Sequence, residues 1–363
     1  MASMRTLPKE FTVRRRDPVL VTPSEPTPQE TKPLSDLDDG EGMRFYSSGI
    51  HLYRHNPAKA GQDPAQVTRL RCGGFIFGQR FCHCVVDAPG GMQFEKAICE
   101  LACGADKPSV TPSWGREMFM AGDPPARPRY QHLEYREPAG GPDRMLTTPP
   151  SQMARAPFFF GPREIAGLRQ RAQARRCSRF ELVAACIWRS RTAALGYAPG
   201  DEVRLCFIVN ARGRPDDVPL PEGFYGNAFA YSVAATTAGE LCGKDLGFAL
   251  DLVKKAKSAV TYDYLRSVAD LMVLEGRPLF TLTRTYLVSD VSHAGFKSVD
   301  FGWGEAVYGG PAKGGEGPLL GVTNYFSRAK NGKGEEGTVV PICLPKDAME
   351  KFQLEVQGLT AEL

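Results

Sequence analysis

An α/β protein of two domains follows from three features of the chain. Its 363 residues exceed the roughly 100–200 of a typical single domain. Short apolar or aromatic runs of strand length alternate with segments of helical periodicity in both halves. Between them, from Thr111 to Ala156, lies a stretch dense in Pro, Gly, Arg and Glu without any period, the mark of a crossover. We therefore divide the chain into an N-terminal half (1–125), a crossover (126–156) and a C-terminal half (157–363).

Along the N-terminal half, Phe11 to Asp39 is rich in Pro, Thr, Ser and acids. With Leu20, Val21 and Leu37 as isolated apolar anchors, it reads as an extended strap across a surface. Leu70 to His83 carries Phe75, Ile76, Phe77 and Phe81, which predicts a strand or hairpin. Gly73 and Gly74 mark a bulge or a close backbone approach in it. The loop Asp87-Ala88-Pro89-Gly90-Gly91 ends that strand. Met92, Phe94, Ile98, Leu101 and Ala102 then recur at helical spacing, so a helix is expected from after the glycines to near Gly104. His83 thus sits where strand, loop and helix meet.

In the C-terminal half, Ser178 and Glu181 form a capping box, and Phe180, Val183, Ala184, Ile187 and Trp188 supply the apolar stripe behind it. Val203 to Val209 is almost continuously apolar, as a buried strand should be, and Asn210-Ala211-Arg212-Gly213 closes it in a polar turn. Helices near Leu246–Ala259 and Tyr264–Leu274 and strands near Thr281–Ser289 and Thr338–Leu344 complete the pattern.

Composition narrows the function classes. With 45 basic against 41 acidic residues, and no basic run interleaved with aromatics, a nucleic-acid partner is excluded, although the small positive excess suits an anionic ligand. The N-terminal Arg14-Arg15-Arg16 run precedes no apolar h-region, and no stretch reaches the ~18 apolar residues of a membrane span. A soluble, cytoplasmic protein without a membrane partner is expected. Ten scattered cysteines then read as reduced core thiols rather than a disulfide framework.

His83-Cys84-Val85-Val86-Asp87 places a histidine and an aspartate four apart on a turn, followed by small residues that admit a substrate. By itself such a pair is more often structural than catalytic. In the second half stands the uncommon pentapeptide Asp300-Phe301-Gly302-Trp303-Gly304. Together the two motifs resemble those of the plant BAHD acyltransferases, which use acyl-CoA. Ser178-Arg179-Phe180-Glu181, the Asn210-Ala211-Arg212 turn and Phe224-Tyr225-Gly226-Asn227 extend the likeness, which runs from about Phe11 to the C-terminus. Within the family, the Thr22-Pro23 to Asp39 segment and the Tyr308 to Gly315 segment are most similar to the benzyl alcohol benzoyltransferase and taxane acyltransferase branch.

The resemblance implies two domains of mixed sheets flanked by helices, each similar to chloramphenicol acetyltransferase, with a channel between them. It implies a monomer that holds no permanent cofactor and takes acyl-CoA as co-substrate with an alcohol as acceptor. A neutral imidazole, with a reference pKa near ~6.5, can take the hydroxyl proton as the oxygen attacks a thioester, and His83 is the candidate base. By the family pattern Asp87 turns away from substrate and pairs with Arg212. Trp303 is a candidate oxyanion donor through its indole N–H, while Asp300, Gly302 and Gly304 form a supporting turn. For CoA, the free N–H groups of the helix after Ser178, with Arg179 beside them, offer an anion site. Lys313 belongs to a glycine-rich loop that either flexes over the channel or touches CoA directly.

Other motifs carry less. Gly332 to Gly337 fits a dinucleotide fingerprint but precedes a strand, so it reads as a hairpin turn. On a strand Cys82 and Cys84 would be held apart from each other, and no C-x-x-C pair occurs, so no metal site is expected. His51, His55, His132 and His293 read as surface or turn residues. The chain also departs from the family: a stretch bearing a helix and several strands is missing near Asp63 to Leu70. Its loss would leave strand edges and apolar faces uncovered in the first domain. Two hypotheses follow, an active acyl-CoA:alcohol O-acyltransferase and a shortened, inactive paralogue that at most binds CoA or a partner.

Overall fold

The computed structural model describes residues 12–59, 67–138, 141–174, 176–213, 220–313 and 319–361. The expected join at Asp63 to Gln66, and Gly314 and Gly315 of the glycine-rich loop, lie outside the described residues. The chain divides into two units, Met1–Pro33 and Leu34–Leu363. Residues 12–33 contain no helix or strand, and Leu20 and Val21 are exposed.

The second unit carries ten strands and eight helices among its described residues. In chain order they are β1 (Tyr46–Tyr53), β2 (Thr68–Arg69), β3 (Phe75–Cys82), α1 (Ala88–Ala102), α2 (Arg144–Thr147), β4 (Met153–Phe160), α3 (Pro162–Arg171), α4 (Arg179–Leu195) and β5 (Glu202–Asn210). Then come β6 (Phe229–Thr237), α5 (Ala238–Gly243), α6 (Leu246–Ala259), α7 (Tyr262–Leu274), β7 (Thr285–Asp290), β8 (Tyr308–Pro311), β9 (Thr323–Lys330), β10 (Glu336–Pro345) and α8 (Lys346–Thr360).

The strands make two sheets, one ordered β2-β3-β1-β8 and one ordered β4-β10-β9-β7-β5-β6. The larger sheet is mixed, with β5, β7 and β9 parallel and β6, β10 and β4 antiparallel to their neighbours. Its β5, flanked by β7 and β6, is buried along most of its length, which explains its nearly continuous apolar run, broken by Arg204. Helix α4 begins as its capping box requires: Ser178 Oγ accepts from Glu181 N at 3.2 Å, and Glu181 Oε2 accepts from Ser178 N at 2.8 Å. Its packing against α3, α5, α6 and α8 buries it on nearly every side. Asn331 to Glu335 turn β9 into β10, so the glycine-rich fingerprint there is a hairpin turn, with Asn331 Oδ1 accepting from Lys333 N and Glu335 N.

Several boundaries differ from those read in the sequence. Strand β3 begins at Phe75 because Leu70 to Gly74 make the hairpin turn from β2, with Leu70 N donating to Gly74 O at 2.8 Å and Gly73 at a φ of 84°. Gly74 makes the expected close approach, since a side chain there would come within 2.3 Å of the Tyr53 carbonyl oxygen. Strand β7 begins at Thr285 rather than Thr281, since Arg284 takes a left-handed φ of 47°. Helix α1 starts at Ala88, before its glycines, because Asp87 caps it and Pro89 fits its first turn. Strand β8, from the second half of the chain, pairs with β1, so the second half completes the first half's sheet.

Two histidines expected at the surface or in turns, His51 and His132, are buried. His51 on β1 is fully enclosed with its Nε2 2.7 Å from Glu95 Oε2 of α1. His132 is held between Glu134 Oε1 at 3.0 Å and Ser267 Oγ at 2.8 Å. In each case a polar partner brought from a distant element or across a turn makes burial tolerable. All ten cysteines are free thiols, but Cys72 and Cys103 are exposed, not core.

Candidate active site

The site is built on the turn that links β3 to α1. The backbone hydrogen bond from Val85 N to Cys82 O, at 3.1 Å, closes this turn and puts His83 on its outer corner. Around it lies a cavity of about 560 Å³ lined by both sheets. Phe45, Phe229, Phe280 and Leu287 give it apolar walls, and Asn210, Ser289, His293 and Asn324 contribute polar groups. A volume of this size falls within the ~300–1,000 Å³ of small-molecule sites.

The His83 ring lies 5.0 Å from the Phe45 ring and 6.1 Å, edge to face, from that of Phe229. Burial among these groups lowers its pKa, and the nearby Asp87 and Asn227 only partly oppose the shift. The imidazole is thus neutral near pH 7, and its buried Nδ1 has no hydrogen-bond partner among the described residues. The ring itself lines the cavity, where an uncharged imidazole can accept or donate a proton.

Three polar clamps hold the turn in place. Asp87 is buried and turned toward the protein, where its Oδ2 accepts from Arg212 Nη1 at 2.5 Å and from Ala228 N at 3.1 Å. Its Oδ1 accepts from Gly90 N at 3.0 Å, which caps α1. Arg116 Nη2 donates to Val85 O at 2.6 Å, and Asn227 Nδ2 donates to His83 O at 2.8 Å. Arg116 and Asn227 meet at the buried Asp38, which accepts from Arg116 Nη1 at 2.5 Å and Asn227 Nδ2 at 2.6 Å. Gly90 is required by close approach: a Cβ there would lie 2.0 Å from the Tyr225 carbonyl oxygen.

Of the residues singled out in the sequence, His83, Asp87 and Arg212 are brought together. The others lie elsewhere. Trp303 does not line the His83 cavity; its ring packs edge-on against Phe75 at 5.6 Å, with Lys59 Nζ 5.5 Å from the ring centroid. The geometry therefore offers no indole donor to an oxyanion beside His83. Instead Asp300 Oδ1 accepts from Gly302 N and Gly304 N at 2.7 and 2.9 Å, with both glycines at positive φ. That turn presents Phe301 and Trp303 to Tyr53, Phe75 and Phe77, fastening the pentapeptide to the smaller sheet. We expect Trp303→Phe to leave kcat unchanged while lowering Tm, as a steady-state assay beside a thermal melt will check.

Ser178 and Arg179 are exposed at the start of α4, the Ser178 hydroxyl already engaged in the capping box. Lys313 is exposed two residues past Pro311, which does line the cavity. Asp38 and Arg116 escaped the sequence reading altogether: one lay in the expected strap, the other in the Pro-rich stretch, and neither segment has a period. Asn227 stood within a quoted motif without an assigned role.

Residues 64–359 match the family model described as Transferase family. Benzyl alcohol O-benzoyltransferase of Petunia hybrida is 43% identical over 436 positions, covering 96% of this chain and 94% of that one. The Nicotiana tabacum protein of the same name is 42% identical, with 96% and 94% covered. Among solved structures, vinorine synthase is similar with a TM-score of 0.65 at 18% identity, covering 94% of this chain and 96% of that one. F. sporotrichioides TRI101 complexed with coenzyme A and T-2 gives 0.60 at 14% identity, with 88% and 96% covered. The Petunia comparison runs over 436 positions against 363 residues in the whole chain, so at least 73 positions of that relative face gaps here.

Proposed function

Because the chain belongs to the Transferase family, the BAHD acyl-CoA-dependent acyltransferases, we propose that it moves an acyl group from a CoA thioester to an alcohol, with His83 as general base. The observation that carries this reading is a neutral imidazole on a clamped turn at the wall of a mostly apolar cavity. His83 takes the hydroxyl proton as the alcohol oxygen attacks the thioester carbonyl, and returns it to the CoA thiolate when the tetrahedral intermediate collapses. Asp87 and Arg212 act on position rather than on protons. Asp87 carries its hydrogen bonds away from the ring, toward Arg212, Gly90 and Ala228.

The names of the relatives and the phenylalanine-rich wall favour benzoyl or another aromatic acyl group, with acetyl as the smaller alternative. Thiol release from benzoyl-CoA or acetyl-CoA with benzyl alcohol as acceptor tests the proposal. Release should require the alcohol; a folded protein that releases no thiol with any acceptor overturns the reading. The second reading, an inactive shortened paralogue, rests on the 73 or more positions without a counterpart here, and that negative result would favour it.

The pH dependence has a definite sign. His83 ionises below the ordinary histidine value of 6.5, so kcat/KM should stay level down through that value and fall only at lower pH. Stability follows the same direction. Between 6.5 and the lowered native pKa the unfolded chain binds a proton that the folded chain does not, so this group's contribution is lost as pH falls through that window. A pH–rate profile beside pH-dependent melts checks both.

The phosphates of acyl-CoA as substrate would need cations. We assign to that role Lys313, two residues past the cavity-lining Pro311, and Arg179, exposed at the α4 N-terminus with its anion preference. Lys313→Ala and Arg179→Ala should each raise KM for acyl-CoA without changing KM for the alcohol.

A further inference from the structure

We propose that Cys82 and Cys84 form a redox-active dithiol astride His83, which a hydroperoxide converts to a disulfide that stops acyl transfer until a thiol reduces it. On an extended strand, side chains two apart sit on the same face but well separated along it; here the chain turns at Cys82. The Val85 N to Cys82 O bond folds residues 82–85 back, and the two Sγ atoms come to 3.1 Å, within hydrogen-bonding distance. Both thiols are half-buried, so small oxidants reach them, and neither belongs to the cavity lining or to the clamps. Nothing in the acyl-transfer chemistry uses them.

Burial and the neighbouring Cys82 push the Cys84 thiol up to about 11. In such a pair one sulfur keeps its proton while the other attacks, and we take Cys82 as the attacking sulfur. Its thiolate attacks the distal peroxide oxygen, the O–O bond breaks, and the hydroxide released takes up a proton as water, leaving a sulfenic acid. Cys84 sulfur then attacks the Cys82 sulfur, the S–O bond breaks, and the second oxygen leaves as water with the Cys84 proton. Two thiols are oxidised by two electrons while one hydroperoxide is reduced.

The disulfide requires the sulfurs to close by about 1 Å, from 3.1 Å to the ~2.05 Å of a bond. The turn can yield little at its edges. Asn227 holds the His83 carbonyl, Arg116 the Val85 carbonyl and Arg212 the Asp87 carboxylate, while His83 N donates to Phe45 O at 2.8 Å. The adjustment therefore falls on the His83 corner itself, and a displacement of ~1 Å in a catalytic group can cost on the order of 10²-fold in rate.

The effect on turnover rests on the acyltransferase reading, whereas the modification does not. Trypsin releases Phe81 to Lys96 as one peptide, flanked by Arg80 and containing Cys82 and Cys84 as its cysteines. Full-length protein treated with a slight excess of hydrogen peroxide should yield this peptide lighter by two hydrogens. Its kcat should fall at least about tenfold and recover with dithiothreitol. Cys84→Ser, with Cys82→Ala as a second version should the first fail to fold, should keep its activity through the same treatment. A peptide that stays reduced or only gains oxygen overturns the proposal. So does a disulfide that leaves kcat unchanged, or a Cys84→Ser protein as sensitive as the native one. The mass measurement needs no turnover, so a protein inactive before oxidation counts against the acyltransferase reading and leaves the dithiol to be judged by its mass.

Discussion

His83→Ala should lower kcat by about 10²–10⁴, with KM for the acyl donor and Tm close to native values. The reason is that the His83 ring makes few interactions the fold depends on. Its backbone, not its ring, accepts from Asn227 Nδ2 and donates to Phe45 O, and its Nδ1 has no hydrogen-bond partner among the described residues. Removing the ring thus takes away a proton acceptor from the cavity and little else. Single-turnover thiol release with saturating benzoyl-CoA and benzyl alcohol gives the number directly. A variant that retains more than about a tenth of the native kcat would be incompatible with general-base catalysis of the usual size.

Asp87→Ala should act in the opposite proportion, on stability first. The carboxylate joins Arg212, Ala228 N and Gly90 N, so its loss leaves a partly enclosed guanidinium and two backbone donors without their acceptor. Breaking a buried ion pair from one side costs about 3–5 kcal/mol. Because the Arg212 side chain retains 21% exposure, the lower end of that range applies. Urea denaturation should show the loss as an earlier midpoint with an unchanged slope. Rate should fall through disorder of the turn, and Asp87→Asn should recover part of the stability by still accepting from Gly90 N. Were Asp87→Ala to melt like the native protein and lose only kcat, Asp87 would belong to the proton chemistry rather than to positioning.

Elements whose cause is local were legible in the chain. The α4 start follows from Ser178 and Glu181, the burial of β5 from a nearly continuous apolar run, and the β9–β10 turn from Asn331 and its glycines. Boundaries moved where distant contacts set the backbone, as at Arg284, which takes a φ of 47° and donates from its N–H to Asp143 Oδ2, 141 positions away. His51 illustrates the same gap: its burial depends on Glu95, 44 positions away on another element, and nothing in the spacing announces that meeting.

Residue types and motifs by themselves determined the family, the α/β character and the identities of His83, Asp87 and Arg212, because each is written in a short contiguous pattern. Tertiary structure decided what those residues do to one another. It placed Trp303 off the cavity and against Phe75, and it recruited Asp38, Arg116 and Asn227 to hold the turn that carries His83. It also bent Cys82 toward Cys84 across that turn. The physical reason is that hydrogen bonds and ring contacts depend on distances of a few ångströms between segments far apart in the chain, and only the folded backbone sets those distances.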